Sequence, residues 1–441
     1  MILSKKVKTF LLLLGDVGIF YASLYLTLAL RYGLSENTIG WEAHQTPFLY
    51  VHILWIFVFY ISGLYDITIF SSFKKTFERV LKTMATSGIA AMVIFYLVPA
   101  FKITPKTNLL IDIFILAFLL VFWRRIFWNL AGRTSKIKTL FFGSSKEVEE
   151  LAKTLLKNPH FGYEPAVILE SVDRDLIQLI KEKNIQLIVA SRNVINNKEA
   201  AKRFYDMLPL GVSIVDFESF YESLSEKIPV SMVNESWFLE NLMEINKKGF
   251  ENFKRIFDVA LALVLSLPTL VLLPFVALLI KMNSRGPVFY KQKRVGKNGL
   301  AFEIIKFRSM ADNAEKNGAE WAKEKDSRIT GVGNFLRKSR LDELPQLCNI
   351  LRGEMSFVGP RPERPEFVGN LQKEIPHYAM RHLVKPGLSG WAQIKFPYGA
   401  SVNDAMEKLQ FDLYYIKNRS MVLDLAITAK TVATILSRTG R

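Results

Sequence analysis

The sequence predicts three parts in series. These are an α-helical membrane bundle over residues 1–133, a small α/β domain over 134–221, and a mainly α domain over 250–441. The third follows a connecting segment at 222–249 and carries a membrane-entering helix at 254–281. Three observations predict this order. Four apolar stretches, each near the roughly 20 residues that cross hydrocarbon, crowd the front. Short apolar runs then alternate with polar, helix-like stretches. A fifth apolar stretch, broken by two prolines, runs into a cluster of basic residues.

The front stretches are 7–30, 47–65, 80–101 and 108–128. Lys5, Lys6 and Lys8 precede the first; Lys74, Lys75 and Arg79 separate the second from the third; Arg124, Arg125, Arg133, Lys136 and Lys138 follow the fourth. The other two loops hold only Arg31, then Lys102 and Lys106. Positive charge marks the cytoplasmic side, so both ends of the bundle belong there. No small-residue cleavage site follows the first stretch, so it reads as an uncleaved transmembrane helix. Asp16 and Asp112 lie within spans, where an acid needs a partner; pairing inside the bundle is the expected role.

Residues 138–142, 166–169, 187–190 and 212–215 read as strands, with helices beginning near Lys146, Asp173 and Lys198. This alternation predicts a parallel, Rossmann-like sheet. Its first turn, Gly143-Ser144-Ser145, lacks the glycines that let a backbone approach a pyrophosphate, so the domain is expected to bind no nucleotide.

A formal net charge of +17 would suit nucleic acid in a soluble protein. Here the basic residues flank apolar runs, which points to anionic lipid headgroups and anionic substrates instead. Cys348 is the single cysteine, so intrachain disulfides and cysteine metal clusters are excluded, in keeping with a cytoplasmic face. The five histidines show no metal-binding spacing.

In the third part, Lys254 and Arg255 lead into apolar residues 256–280, interrupted by Pro268 and Pro274. Each proline removes a helix hydrogen bond and bends the chain. Basic residues stand at both ends, which predicts a segment that enters and leaves the membrane on one face. Lys281, Arg285, Lys291, Lys293, Arg294, Lys297, Lys306 and Arg308 follow, a surface suited to anionic headgroups.

The chemistry concentrates in Leu341-Asp342-Glu343-Leu344-Pro345-Gln346 and Gly359-Pro360-Arg361-Pro362. Leu341, Leu344, Leu347, Cys348 and Leu351 recur at helical spacing and predict a buried stripe. Pro345 is tolerated in a first turn, so the helix should begin near Asp342, with Asp342, Glu343 and Gln346 exposed at its positive end. There Asp342 would stay ionised and could act as a nucleophile. Glu343 could hold a Mg²⁺ ion that neutralises a diphosphate. Arg361, framed by Pro360 and Pro362, loses little entropy on gripping phosphate.

Beyond these two stretches, Lys254-Arg255-Ile256-Phe257-Asp258, Gly286-Pro287-Val288-Phe289-Tyr290, Lys306-Phe307-Arg308-Ser309-Met310 and Lys385-Pro386-Gly387-Leu388-Ser389-Gly390-Trp391-Ala392-Gln393 complete an ordered set. From Lys254 onward the chain resembles the bacterial sugar transferases, the polyprenyl-phosphate sugar-1-phosphate transferases also called monotopic phosphoglycosyl transferases. Its front half is similar to that of their large, exopolysaccharide-type members.

The resemblance implies a monotopic catalytic domain with a re-entrant helix, and a two-step reaction. An aspartate takes the phosphosugar from a UDP-sugar, releasing UMP; polyprenyl (undecaprenyl) phosphate then collects it. Asp342 matches the nucleophile and Glu343 the Mg²⁺ ligand. Lys306, Arg308, Arg337 and Arg361, with Pro360 and Pro362, match substrate contacts. It also implies a homodimer at the bacterial inner membrane, with the catalytic domain on the cytoplasmic face. UDP-glucose or UDP-galactose is the expected donor.

Two departures stand out. Many members break the membrane segment at one central proline, where this chain has Leu270-Val271 between Pro268 and Pro274. After Gln393 it reads Ile394-Lys395-Phe396-Pro397 in place of Val-Asn-Gly-Arg. Two other readings are weaker. A membrane-bound nucleotide-sugar dehydratase would need a glycine-rich NAD turn and a Tyr-x-x-x-Lys pair, and neither is present. A recruiting scaffold has no use for the Asp342-Glu343 pair.

Overall fold

The computed structural model describes residues 5–33, 40–65, 73–97, 106–133, 136–143, 145–170, 176–242, 248–311, 326, 328–396, 399 and 401–436. The chain divides into two units, Met1–Phe220 and Tyr221–Arg441.

In the first unit the four front stretches form helices α1 (Lys5–Tyr32), α2 (Trp41–Ile61), α3 (Phe73–Leu97) and α4 (Lys106–Arg133). Phe20, Leu24, Phe48, Trp55, Phe59, Met84 and Leu116 fill their common core. Phe57, Ile89, Phe114 and Phe118 face outward. Helices apolar on both faces suit lipid surroundings. Residues Val7–Tyr32 and Trp41–Ile61 are long and apolar enough to cross a membrane.

Both intraspan acids find partners inside the bundle. Asp16 takes two guanidinium bonds from Arg124, each 2.7 Å. Asp112 accepts from Ser23 and, at 3.4 Å, from Thr27. A hydrogen-bonded pair is what makes a buried charge tolerable in hydrocarbon.

The same unit holds a parallel sheet of β1 (Ile137–Phe142), β2 (Tyr163–Leu169), β3 (Leu187–Ala190) and β4 (Ser213–Asp216), in the order β2-β1-β3-β4. Each lies within three residues of an expected strand. Between them run α5 (Lys146–Lys157), α6 (Leu176–Lys183), α7 (Arg192–Ile195) and α8 (Lys198–Met207). The expected helix start near Asp173 lies outside the described residues. Ser145 caps α5 by accepting from the Val148 amide, and Glu147 and Glu149 sit in its first turn.

Helix α9 (Phe217–Ser225) spans the boundary in sequence, and α10 (Glu235–Leu242) follows. This stretch is more than a connection. Ile228, Val230, Val233, Trp237, Phe238 and Leu242 are buried in the second unit's core with Phe357, Leu409, Leu413 and Ile416. Six large apolar side chains cannot stay solvated when a core offers them contact, so the expected linker is structural.

Helix α11 (Lys248–Asn283) runs 36 residues with Pro268 and Pro274 inside it. Its N-terminal end is held by the second unit. Lys254 pairs with Asp424, Arg255 donates to the Ile350 and Leu351 carbonyls, and Asp258 accepts from the Ser356 hydroxyl and the Phe357 amide. Near its other end, Val276 and Ile280 pack with Phe307 and Leu336. Between them Leu263, Val264, Leu267, Leu270, Val271 and Phe275 are exposed.

Next comes an antiparallel hairpin, β5 (Phe289–Val295) and β6 (Ala301–Phe307), pairing Tyr290 with Lys306 and Arg294 with Phe302. Sequence reading saw only a basic surface here. The signal available in the sequence was the short link holding Gly296 and Gly299 between the two strands.

Helix α12 (Gly331–Lys338), a 3₁₀ turn (Leu341–Gln346), α13 (Leu347–Arg352), β7 (Ser356–Val358) and α14 (Pro365–Glu374) lead on to β8 (Gly387–Ser389), α15 (Trp391–Lys395), α16 (Val402–Asn418) and α17 (Met421–Leu436). Strands β7 and β8 pair in parallel. Their approach requires glycine, since a Cβ on Gly387 would lie 2.1 Å from the Gly359 nitrogen.

Trp237→Ala should destabilise the second unit by about 3–5 kcal/mol, as expected for a large aromatic lost from a packed core. A thermal unfolding midpoint unchanged from the parent would show that this segment is a tether after all.

Candidate active site

The carboxylates do not sit where helical spacing places them. Residues Leu341–Gln346 wind as a 3₁₀ turn, three residues per turn, and the α-helix begins only at Leu347. The tighter winding shifts the faces. Asp342, Glu343 and Gln346 are buried, Cys348 is exposed, and Leu341, Leu344 and Leu351 are half-buried. The expected apolar stripe is therefore displaced, and the acids point inward. Pro345 fits because it lies in this short first turn.

Two buried carboxylates require compensation. Glu343 Oε1 accepts from Lys306 Nζ at 3.1 Å and Arg361 Nη2 at 2.8 Å, with Arg340 Nη1 at 3.9 Å. Each cation comes from a different place. Lys306 stands on β6, which α13 fixes: Asn349 accepts from the Ile305 amide at 3.1 Å and donates to the Glu303 carbonyl at 2.7 Å. Arg361 stands on the loop after β7. Arg340 precedes the 3₁₀ turn in the left-handed region, φ 57°, an unfavourable conformation for a residue with a Cβ.

Asp342 differs. Its Oδ1 is buried without a hydrogen-bond partner among the described residues. Burial, and then the neighbouring Glu343 charge, push its pKa up to about 6, against the pull of Lys306, Arg337 and Arg340. At neutral pH that still leaves it mostly ionised, but in a buried 3₁₀ turn and not at an exposed helix end. For Glu343, burial opposes the charged form, but Arg361 and Lys306 outweigh it and hold the carboxyl well below the usual range. The pair thus separates into a strongly anionic member and a more basic one.

The structure brings Lys306, Arg337, Arg361, Asp342 and Glu343 together. Arg337 is held by Ser309 Oγ at 2.9 Å and contributes charge at Asp342. Pro360 and Pro362 frame Arg361. Arg308 is not part of this group. Its guanidinium donates to the Ser284 carbonyl at 2.8 Å, the Ser284 hydroxyl at 2.9 Å and the Arg285 carbonyl at 2.9 Å. These carbonyls lie just past the end of α11, so Arg308 fixes the chain as it leaves that helix. Arg340 was missed because no sequence pattern forecasts a left-handed arginine.

Among the described residues four cations, Lys306, Arg337, Arg340 and Arg361, face these two carboxylates, an arrangement suited to a diphosphate. The Glu343 carboxylate is the kind of hard-oxygen donor that Mg²⁺ takes. Among the described residues no group of three or more histidine, cysteine or acidic side chains could hold a metal. The remaining ligands would thus be water and substrate oxygens.

Residues 250–438 match the family model described as bacterial sugar transferase. The chain is 43% identical over 230 residues to the UDP-N-acetylgalactosamine-undecaprenyl-phosphate N-acetylgalactosaminephosphotransferase of Aeromonas hydrophila, covering 52% of this chain and 53% of that protein. It is 42% identical over 183 residues to the UDP-glucose:undecaprenyl-phosphate glucose-1-phosphate transferase of Escherichia coli K12, covering 41% and 39%. It is 42% identical over 191 residues to the exopolysaccharide production protein PSS of Rhizobium leguminosarum, covering 42% of this chain and 96% of that protein. The match thus spans about half or less of the first two relatives and nearly all of the third.

Proposed function

Since the chain belongs to the bacterial sugar transferase family, we propose that it moves a sugar-1-phosphate from a UDP-sugar to undecaprenyl phosphate through a phosphosugar carried on Asp342. The observation that carries this reading is the asymmetry of the acid pair. Among the described residues Asp342 keeps a buried oxygen with no donor on it, while Glu343 is gripped by Lys306 and Arg361. A free carboxylate oxygen beside surplus positive charge is placed to attack a bound phosphate.

In the first step an Asp342 oxygen bonds to the β-phosphorus of the donor. The bond from that phosphorus to the bridging oxygen breaks, and UMP leaves with the electron pair. In the second step a phosphate oxygen of undecaprenyl phosphate attacks the same phosphorus and Asp342 departs as a carboxylate. Lys306, Arg337 and Arg361 hold the diphosphate and offset the charge that develops on it. Glu343 would hold Mg²⁺, which supplies further neutralisation of the diphosphate when bound.

The relatives' names divide between N-acetylgalactosamine and glucose donors. The product would begin an exopolysaccharide or related glycan. The α/β sheet is read as a degenerate Rossmann-like domain that binds no nucleotide. The protein is assigned to the inner membrane as a homodimer, its catalytic domain facing the cytoplasm.

The re-entrant reading of α11 rests on the basic residues at both ends; the helix is also long and apolar enough to cross, and burial marks only the part left for lipid. Contacts hold the helix up to Ala262 and again from Val276, while no residue between them is buried. Ser266 and Thr269, flanking Pro268, donate back to the Ala262 and Leu265 carbonyls, each at 2.7 Å, a pattern that bends helices. In a Cys348→Ser background, Asn252→Cys and Asn283→Cys should both react with an impermeant thiol reagent only from the cytoplasmic side. Labelling of Asn283→Cys in intact cells would mean a complete span.

Purified protein given a panel of UDP-sugars and Mg²⁺ should release UMP from one donor. Asp342→Asn, of equal size, should end turnover, and a chelator should do the same to the parent. Activity in the Asn variant would remove Asp342 as the acceptor.

UMP release should also depend on pH. The nucleophile must be deprotonated and its folded pKa is raised to about 6. The rate should therefore be at its plateau above that value and fall by about tenfold per unit below it. A profile flat down to pH 4 would contradict the role.

A further inference from the structure

Arg361 reaches Glu343 from a segment that cannot hold itself. Pro360 and Pro362 have no N–H, so Gly359-Pro360-Arg361-Pro362-Glu363 cannot form a regular ladder. Its carbonyls must be held by donors from elsewhere. Four successive carbonyls are held in this way. Pro360 O accepts from the Gly387 amide at 2.9 Å and Glu363 O from the Val295 amide at 2.9 Å. The middle two are taken by guanidiniums: Arg361 O by Arg381 Nη2 and Pro362 O by Arg294 Nη1, both at 3.0 Å.

Each guanidinium is itself fixed. Arg381 Nη2 lies 2.8 Å from Asp412 Oδ2 on α16, and its Nη1 donates to the Tyr378 hydroxyl at 2.5 Å. Its carbon sits 5.1 Å from the centre of the Tyr378 ring. Arg294 Nε and Nη2 both donate to Gln292 Oε1, at 3.1 and 2.6 Å, and Glu363 Oε2 lies 3.8 Å away. Arg381 and Asp412 are 5% and 1% exposed. A buried ion pair is a poor source of net stability, because desolvation consumes the Coulomb gain. An apolar pair would fill this place at less expense. The pair does supply a donor with one fixed direction, aimed at the main chain of Arg361.

We infer that Arg381 and Asp412, with Arg294 as a second anchor, are positioning residues of the transfer reaction. They fix the main chain of Arg361 so that its guanidinium stands at Glu343. This rests on the reading of Arg361 as a phosphate contact. Lysine at 381 keeps the charge opposite Asp412. It cannot reach Asp412, Tyr378 and the carbonyl together, because it lacks the planar fork.

The test is a double-mutant cycle on UMP release by the full chain, with thermal unfolding of each variant. Arg381→Lys should unfold near the parent's temperature and lower kcat/KM by about 100-fold, the scale of a misplaced contact, mainly through a raised KM for the UDP-sugar. Arg361→Gln should be at least as damaging. Arg361→Gln/Arg381→Lys should be no worse than Arg361→Gln alone, since residues acting through one group do not add. Should Arg381→Lys fail to fold, Arg294→Lys with Arg361→Gln provides the same cycle. Additive losses, or parent-like activity in folded Arg381→Lys, would overturn the positioning role alone. An unimpaired Arg361→Gln would overturn the underlying reading of Arg361.

Discussion

The second unit is organised around a single electrostatic demand: two adjacent carboxylates, Asp342 and Glu343, lie inside the protein. Neither could remain charged there alone. The strand β6 brings Lys306, α12 brings Arg337, a left-handed residue brings Arg340, and the loop after β7 brings Arg361. Remote features serve the same end. Asn349 ties β6 to α13, so Lys306 meets the 3₁₀ turn. The glycine contact between Gly359 and Gly387 lets β7 and β8 approach closely enough to launch the Arg361 loop. The cations do not treat the acids alike. Glu343 takes the direct bonds, while burial and the Glu343 charge leave Asp342 more basic. One composition thus yields two roles.

The membrane helix is joined to this site through shared elements. Arg255 satisfies the last carbonyls of α13, the helix that continues from the carboxylate turn. Arg308, two residues beyond Lys306, closes the far end of α11. Both ends of the apolar helix are thereby linked by one or two residues to the groups that surround Asp342 and Glu343. In the proposed reaction a lipid-borne acceptor and a nucleotide donor meet at one phosphorus, and this coupling would suit that requirement.

Much was legible in the sequence because it depended on local pattern. The four front helices, the pairing of Asp16 and Asp112 within the bundle, and the strands of the parallel sheet follow from apolar periodicity and from the cost of burying charge. What was missed depended on geometry that pattern cannot carry. Leu341, Leu344 and Leu347 fit a 3.6-residue repeat, yet the backbone winds at three per turn, so the acids turned inward. Residues 222–249 read as a connecting segment because they show no clear periodicity, while Trp237 and Phe238 are buried in the core. Arg308 shares its motif with Lys306 but lies just past the end of β6, where the loop after α11 takes its guanidinium. Arg381 and Asp412 meet across 31 positions, and no local rule connects them.

The account stands or falls on a covalent bond to one oxygen. Protein mixed with its UDP-sugar and Mg²⁺ in the absence of undecaprenyl phosphate, quenched and digested, can be read by mass spectrometry. The account predicts that the peptide containing Asp342 gains the mass of the phosphosugar in proportion to the UMP released, and loses it when undecaprenyl phosphate is added. UMP formed in a full single turnover with undecaprenyl phosphate present, while that peptide never carries the added mass and none forms without the acceptor, would contradict it.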